Sequence, residues 1–458
     1  MENLQRDSID FGQMNIPSLF CKLFFPTLMG MVFNAMLNVA DGMFVGHGVG
    51  SDALAAINIV APLFTITTGI GLMFGIGASV VASVHLSRGN IKAANINVTQ
   101  AFVVSLLVML AIVVAVGLFH EQFIRLLGGS DQLLPYARDY LLLLLPGCPF
   151  LLLESIGLML IRLDGSPRYA MMCNIVPALI NIVLDYMFIF PFGMGVGGAA
   201  LATSLGCAVG GVMVVWYFAR CSQTLRMYRL KLSRTSLRLT IRNVGYMTRL
   251  GASAFLTEIA MSVMMLTGNY VFIRQMGEAG VAAFSIACYL FPLVFMVNNA
   301  VAQAAQPIIS YNYGAGNAAR VRKALRTSLV AGSICGSLAT VLLCVFSEPI
   351  VGLFLSPEYP AHAIAASGIP VYASCALFFA LNIAFIGYYQ SIERPIRATV
   401  YTLLRGIILL VPAFLILPAL YGDTGAWLAI PCAEAFTLVV ITADFYISVL
   451  AKSAHTIS

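Results

Sequence analysis

Charge is what this chain has least of. Of its 458 residues only 10% are Asp, Glu, Lys or Arg while 60% are hydrophobic, and a water-soluble domain of that balance would lack the polar surface to cover itself. The few basic residues sit in short interhelical loops, which excludes a nucleic-acid partner; the formal charge of +6 matters less than where it is placed. Paired cysteines are also missing. Ten cysteines lie singly along the chain, without a CxxC pair or metal spacing, and read as small hydrophobes. No GxxxxGK[ST] occurs, so ATP is excluded as a direct fuel and no cofactor is expected. HExxH and GxSxG are absent too, and His47, His85, His120 and His362 fall near the ends of apolar runs without ligand spacing, which excludes an intramembrane enzyme. The N-terminus, with Arg6, Asp7 and Asp10 ahead of Pro17, has no basic leader and no small-residue cleavage site, so the first apolar run is expected to remain as a helix.

What is present is a series of runs long enough to cross a hydrocarbon core. They fall at about 17–45, 53–85, 98–119, 133–161, 169–190, 196–219, 246–273, 280–310, 325–346, 362–390, 398–418 and 424–450. The expected fold is therefore all-α, a polytopic membrane protein of twelve transmembrane helices. With a cytoplasmic N-terminus, only Arg125, Arg138 and Arg274 of the 25 basic residues fall in outer segments, and Arg405 lies inside a span. That asymmetry places both termini in the cytoplasm.

An internal repeat explains the count. Ala53-Leu-Ala-Ala-Ile-Asn-Ile59 aligns with Gly280-Val-Ala-Ala-Phe-Ser-Ile286, and Gly89-Asn90 with Gly316-Asn317, at a shift of 227 residues; Pro167 with Pro395 and Gly197 with Gly425 follow at 228. Six spans per copy return the chain to the same side, so the expected halves are parallel six-helix bundles related by a pseudo-two-fold axis normal to the membrane. The implied organisation is a cytoplasmic segment 1–16, an N-lobe 17–220, a basic cytoplasmic linker 221–245, a C-lobe 246–450 and a tail 451–458. The linker suits an interfacial helix on anionic headgroups. Two such bundles are what alternating access requires, with an ion gradient as the energy source.

The chemistry rests on the few charges inside spans. Asp41, Glu154, Asp185, Glu258, Glu434 and Asp444 are acids there and Arg405 is the one base. Asp41 and Asp185 each fall about one turn below the outer boundary, Thr203 about two, and Asn181 lies one turn deeper than Asp185 on the same face. This oxygen-rich set suits a hard cation such as Na+, and equally a proton shared between neighbouring carboxylates; the alternative is polar groups that tie helices together. Pro26 bends the first helix and is the expected hinge. Arg405 and Glu434, at comparable depth on consecutive spans, are expected to form a structural ion pair. Glu258 and Glu154 are candidates for a substrate or second coupling site, Glu258 equally for a buried structural acid. Met261, Met264, Met265, Tyr289, Phe291 and Phe295 either line a cavity for flat aromatic cations or pack between helices.

Along essentially its whole length the chain resembles the multidrug and toxic compound extrusion (MATE) family. The likeness is carried by Asp41-Gly-Met-Phe-Val-Gly46 followed by Asp52-Ala-Leu-Ala-Ala56, by Asp164-Gly-Ser-Pro-Arg168, by Asn181-Ile-Val-Leu-Asp185, and by Gln306-Pro-Ile-Ile-Ser-Tyr-Asn-Tyr-Gly-Ala-Gly316. Within the family it is most similar to the DinF and MepA type, which implies an N-lobe ion site at Asp41, Asn181, Asp185 and Thr203 and a helix-bending proline at Pro26. The implied function is efflux of organic cations, often drugs, against Na+ or H+, in the cytoplasmic membrane, by a monomer whose partners are its cargo and the lipid. The second half departs from its copy: Asp41 aligns with Gly268, Asp185 with Ala413 and Thr203 with Pro431. Glu258 resembles a helix-seven acid of the NorM branch, but that branch's tenth-helix acid has no match near Asn382. The competing readings are a lipid-linked sugar flippase of related fold, disfavoured by acidic rather than basic cavity candidates, and a major-facilitator transporter, whose basic loop after helix two is absent at Ser87-Arg-Gly-Asn-Ile-Lys92.

Overall fold

Inside hydrocarbon every backbone N–H and C=O must find its partner within the protein, and apolar runs of this length do so by coiling on themselves. The computed structural model describes residues 9–49, 51–231 and 233–457, and among them no strand occurs. The first half comprises α1 (Ile16–Gly48), α2 (Ser51–Ser87), α3 (Ile91–Leu118), short α4 (His120–Leu126), α5 (Leu134–Leu144), α6 (Cys148–Leu163), α7 (Pro167–Ile189) and α8 (Gly195–Trp216). A 3-10 turn at Leu145–Gly147, built around Pro146, joins α5 and α6 into one span. The second half comprises α9 (Arg234–Gly314), α10 (Ala318–Val345), short α11 (Ser347–Phe354), α12 (Pro360–Ala373), α13 (Cys375–Ser391), α14 (Pro395–Leu403) and α15 (Leu410–Ile457).

Ten of the described helical stretches are long and apolar enough to cross a membrane. Two of those, of 81 and 54 residues, far exceed the ~20 residues a crossing needs. Each is broken by a glycine outside helical space, Gly277 (φ 67°, ψ −157°) in α9 and Gly422 (φ 60°, ψ −138°) in α15. The fold thus has twelve membrane helices, six in each half.

The repeat is written in the backbone as well as in the sequence. Gly89 (φ 73°) and Gly316 (φ 74°) take the same left-handed conformation at a shift of 227, as do Gly195 (φ 58°) and Gly422 (φ 60°). After each of the first pair, an asparagine caps the next helix: Asn90 Oδ1 accepts from Ala93 N and Asn317 Oδ1 from Arg320 N, at 3.2 and 3.1 Å. At a shift of 228, Gly165 (φ 84°) is matched by Glu393 (φ 56°), the one non-glycine with positive φ among the described residues. Pro167 and Pro395 then open α7 and α14 at the first helical position.

Contacts divide the chain into two compact units. One runs to Phe255 and takes in Pro307–Val321; the other holds Leu256–Gln306 and the chain from Arg322 onward. In the first unit, α1 packs on α7, α7 on α8, and α6 on both α2 and α8. The segment after α8 is not free. Asp164, at the end of α6, accepts from Tyr217 Oη (2.7 Å) and from the backbone N–H groups of Leu225 (2.9 Å), Thr224 (3.1 Å) and Gln223 (3.3 Å). Asn95 and Thr99 of α3 accept in turn from Arg226 N and Tyr228 N at 2.9 and 2.8 Å. The expected basic linker is therefore a strap laid across the ends of α3 and α6, and helix begins again at Arg234 rather than at 246. In the same unit the Arg320 guanidinium donates to Phe11 O (3.0 Å), Met14 O (2.7 Å) and Asn312 Oδ1 (2.8 Å), while Phe11 packs on the Tyr311 ring at 5.8 Å.

The second unit is built round an apolar core with one ion pair inside it. Arg405 sits in a π-turn, Leu404–Ile408, that interrupts the helix between α14 and α15. Its Nη2 and Nε donate to Glu434 Oε1 at 2.6 and 3.0 Å, Asn382 Nδ2 donates to Glu434 Oε2 at 2.7 Å, and the guanidinium lies 4.5 Å from the Phe379 ring centroid. Both charged side chains are 5% exposed or less.

Two outcomes follow. Removing one partner of a buried ion pair strands the other, so Arg405→Leu and Glu434→Leu are each expected to cost about 3–5 kcal/mol, and the two combined to recover most of it; thermal unfolding of the wild type and the three variants in one detergent checks the cycle. Asp164→Ala removes all the strap's carboxylate contacts at once. Trypsin cleavage at Arg226–Lys231 in the native protein is expected to quicken by about tenfold, the scale of one lost charged hydrogen bond.

Candidate functional site

The polar residues of the first half converge because helical spacing leaves them no other face. Asn174, Asn181 and Asp185 recur on α7 at intervals of seven and four, one stripe of a 3.6-residue helix, and α1 and α8 both pack on α7. A cavity of about 230 Å³ opens between α1, α2, α5, α6, α7 and α8, and Asp41, Asn181, Thr203 and Glu154 all line it. Asp185 lies behind the cavity wall, fully buried, with its carboxyl group against that of Asp41 and within side-chain hydrogen-bonding reach. The four residues expected to bind the coupling ion are thus together in space.

Their partners define what the site can do. Asn181 Nδ2 points at Thr203 Oγ1 (3.5 Å), whose own proton goes to Ala199 O (3.0 Å). Three carboxylate oxygens, Asp41 Oδ1 and both oxygens of Asp185, receive no donor from the described residues. A proton shared by the two acids closes a hydrogen bond between them; a bound cation would do the same work with its charge. Two adjacent carboxylates in a low-dielectric interior repel, and no lysine or arginine lines the cavity to offset them. The pair is therefore left without a compensating positive group among the described residues.

Tyr140 is the residue that sequence reasoning missed. It is 6% exposed, lines the same cavity, stands within electrostatic range of Asp41 and Asp185, and brings its hydroxyl to Thr203. A tyrosine near the start of an otherwise leucine-rich span was the available signal, since a buried phenol needs a hydrogen-bond partner. Asn34 and Asn174 also reach the cavity.

Pro26 lies inside α1 without ending it. Its missing N–H leaves one carbonyl of the first turns unpaired, and Thr27 Oγ1 bonds Leu23 O at 2.8 Å beside it. Glu258 is buried in the second unit, and no described residue hydrogen-bonds it. It is not part of the cavity there, which Met261, Met264, Phe291, Phe295, Arg405 and Glu434 help to line. That cavity is only about 20 Å³, too small for a flat aromatic cation. Tyr289 and Met265, also expected to line a cavity, are instead 65% and 38% exposed.

The two cavities occupy equivalent places in the repeat. Asn34, Leu37 and Phe64 of the larger match Met261, Met264 and Phe291 of the smaller at 227, and Pro177, Ala178 and Gly206 match Arg405, Gly406 and Glu434 at 228. Where Asp41 stands in the first half, Gly268 stands in the second, and a Cβ there would run into the Phe284 ring. Phe284 stacks on Phe272 at 4.5 Å, and Trp427 meets Phe272 edge-on at 4.8 Å. The place of Asp41 in the second half is thus filled with aromatic rings.

Comparison with known proteins agrees with this architecture. The MatE family model matches residues 26–187 and 253–415. A protein named multidrug export protein MepA from Staphylococcus saprophyticus is 24% identical over 413 residues, 89% of each chain. Its namesake from Staphylococcus aureus is 24% identical over 411 residues, 90% of this chain and 89% of that one. A solved structure described as the outward-facing conformation of a multidrug resistance MATE family transporter superposes with a TM-score of 0.89 at 21% identity, covering 99% of this chain and all of its own. The two matched segments take in most of the sequence and fall one in each half of the repeat, and the chain accordingly belongs to the MatE family of transporters and is not an enzyme.

Proposed function

We propose that the protein is an antiporter, driven by Na+ or H+, that exports organic cations and drugs across the cytoplasmic membrane by alternating access, as a monomer with both termini in the cytoplasm. The observation that carries this reading is the Asp41–Asp185 pair, with Asp185 fully buried, Asp41 lining a cavity that has no basic residue in its wall, and three of their oxygens without a donor among the described residues. A pair so placed must exchange its positive partner whenever the cavity changes the side to which it opens, which is the requirement for coupling. Asn181, Thr203 and Tyr140 supply neutral oxygens that complete an ion shell, and Pro26, about four turns from Asp41 on the same helix, supplies the bend through which α1 moves. The names of the staphylococcal relatives support drug export. Acidic cavity walls disfavour a flippase for pyrophosphate-linked sugars, which needs basic ones.

Glu154, on the cavity wall, is the remaining candidate for contact with cationic cargo, and Glu258, outside both cavities, serves as a buried structural acid. Arg405 and Glu434 are structural. The strap and the start of α9, with Arg226, Arg229, Arg234, Arg238 and Arg242 on or near them, face the cytoplasmic headgroups.

Export of a cationic dye from proteoliposomes, with Na+ and pH gradients imposed separately, tests the coupling. Asp41→Asn and Asp185→Asn keep shape but cannot ionise, and each is expected to lower gradient-driven export by about a hundredfold, towards the passive leak. Thr203→Ala should weaken dependence on the physiological ion by about three- to tenfold, one lost oxygen ligand. Export at wild-type rates by Asp41→Asn protein would move the coupling to the second half. In cells, monovalent cationic dyes should be cleared faster than anionic dyes of similar size; equal clearance would contradict a cation-selective cavity.

A further inference from the structure

The second half already contains a cation bound at the position of the first half's cavity. The Arg405 guanidinium is held by the Glu434 carboxylate, by the Asn382 amide through that carboxylate, and by the face of Phe379. At the shift of 228, the residues in the first half are Pro177 for Arg405, Gly206 for Glu434, Glu154 for Asn382 and Leu151 for Phe379, and all four line the larger cavity. The side chain that carries the cation is missing there, the acid has moved from α8 to α6, and the space has grown from about 20 to about 230 Å³. Glu154 is 8% exposed, and no described residue hydrogen-bonds it or pairs with it. Gly210 makes its position possible, since a Cβ on that residue of α8 would collide with Glu154 Oε2.

We propose that Glu154 anchors a guanidinium or amidinium group of the cargo, so that the first half binds from solution what the second half carries on Arg405. The two ligands are of one chemistry: a planar, delocalised cation with parallel N–H donors, matched by the two oxygens of a carboxylate and tolerant of an apolar neighbour on its face. The size is right for a ring as well. A dry cavity of about 150 Å³ accommodates benzene, so this larger one has room for a single aromatic ring bearing the cationic group. The Asp41–Asp185 pair is a separate centre on the same cavity, which leaves the coupling ion and the anchored cargo cation to influence one another through space. This inference rests on the reading of the cavity as a cargo site, and binding at equilibrium tests it apart from export.

Binding of benzamidine to the purified full-length protein, by isothermal titration in detergent, is the measurement, with neutral benzamide as the isosteric control. Wild type is expected to bind benzamidine at least about tenfold more tightly than benzamide, and Glu154→Gln to lose that difference, the scale of one charge-assisted hydrogen bond. Gly210→Ala, which displaces the carboxylate without removing its charge, should weaken benzamidine binding in the same direction. Glu121→Gln, a change at an exposed acid of α4 that does not line the cavity, should still discriminate benzamidine from benzamide. Elution of each variant as a monodisperse peak establishes that it has folded. No preference for benzamidine in wild type, or a preference that survives Glu154→Gln, overturns the proposal even if cations are exported. Glu154-dependent binding in a protein that exports nothing would uphold it and count against the antiport reading instead.

Discussion

Two carboxyl groups pressed together in a low-dielectric interior repel one another unless something positive lies between or beside them, and no side chain among the described residues does so for Asp41 and Asp185. Much of the first unit is arranged around that deficit. The contact needs α1 and α7 side by side, α8 to bring Thr203 beneath them, and α5 to bring Tyr140 across. Small residues make the approach possible: Gly206 of α8 lies against the Asn181 side chain, its would-be Cβ at 3.1 Å from that of the asparagine. Hydrocarbon outside the bundle supplies no compensating dipoles, so the neutrality of the site depends on what enters the cavity.

The second half solves the same problem in the opposite way. Its buried acid, Glu434, has a permanent cation in Arg405, and glycine and alanine stand at the positions of Asp41 and Asp185, with aromatic rings packed against the glycine. A duplicated bundle thus holds a cavity of about 20 Å³ in one copy and of about 230 Å³ in the other. The backbone kept the shared plan through this divergence. Asn90 and Asn317 still cap corresponding helices, and Glu393 still adopts the left-handed conformation of Gly165 at a steric cost of about 1–2 kcal/mol.

The helical nature of the chain, the number of spans and the convergence of Asp41, Asn181, Asp185 and Thr203 were legible because they depend on run length and on a 3.6-residue period, both local properties. The Arg405–Glu434 geometry is similar in kind, since two opposite charges at like depth have few other places to go. Tyr140 was not legible, because a single tyrosine in a leucine-rich run looks like an interface anchor until three other helices are placed around it. The course of the linker was not legible for a comparable reason. Its basic composition says nothing of Asp164, Asn95 and Thr99, which capture its backbone from 60 to 131 residues away in the chain.

The same distance in sequence has a consequence at the other end of the molecule. The carbonyls of Phe11 and Met14 are held by Arg320, across 309 and 306 residues, and Asn312 bonds Phe11 O as well. These donors belong to the Gln306–Gly316 stretch and the helix that follows it. During synthesis, the carbonyls of Phe11 and Met14 therefore have neither Arg320 nor Asn312 to hold them until about two thirds of the chain has been made. The N-terminal end of α1 gains these contacts late, and completion of the first unit waits for a piece of the second half to arrive.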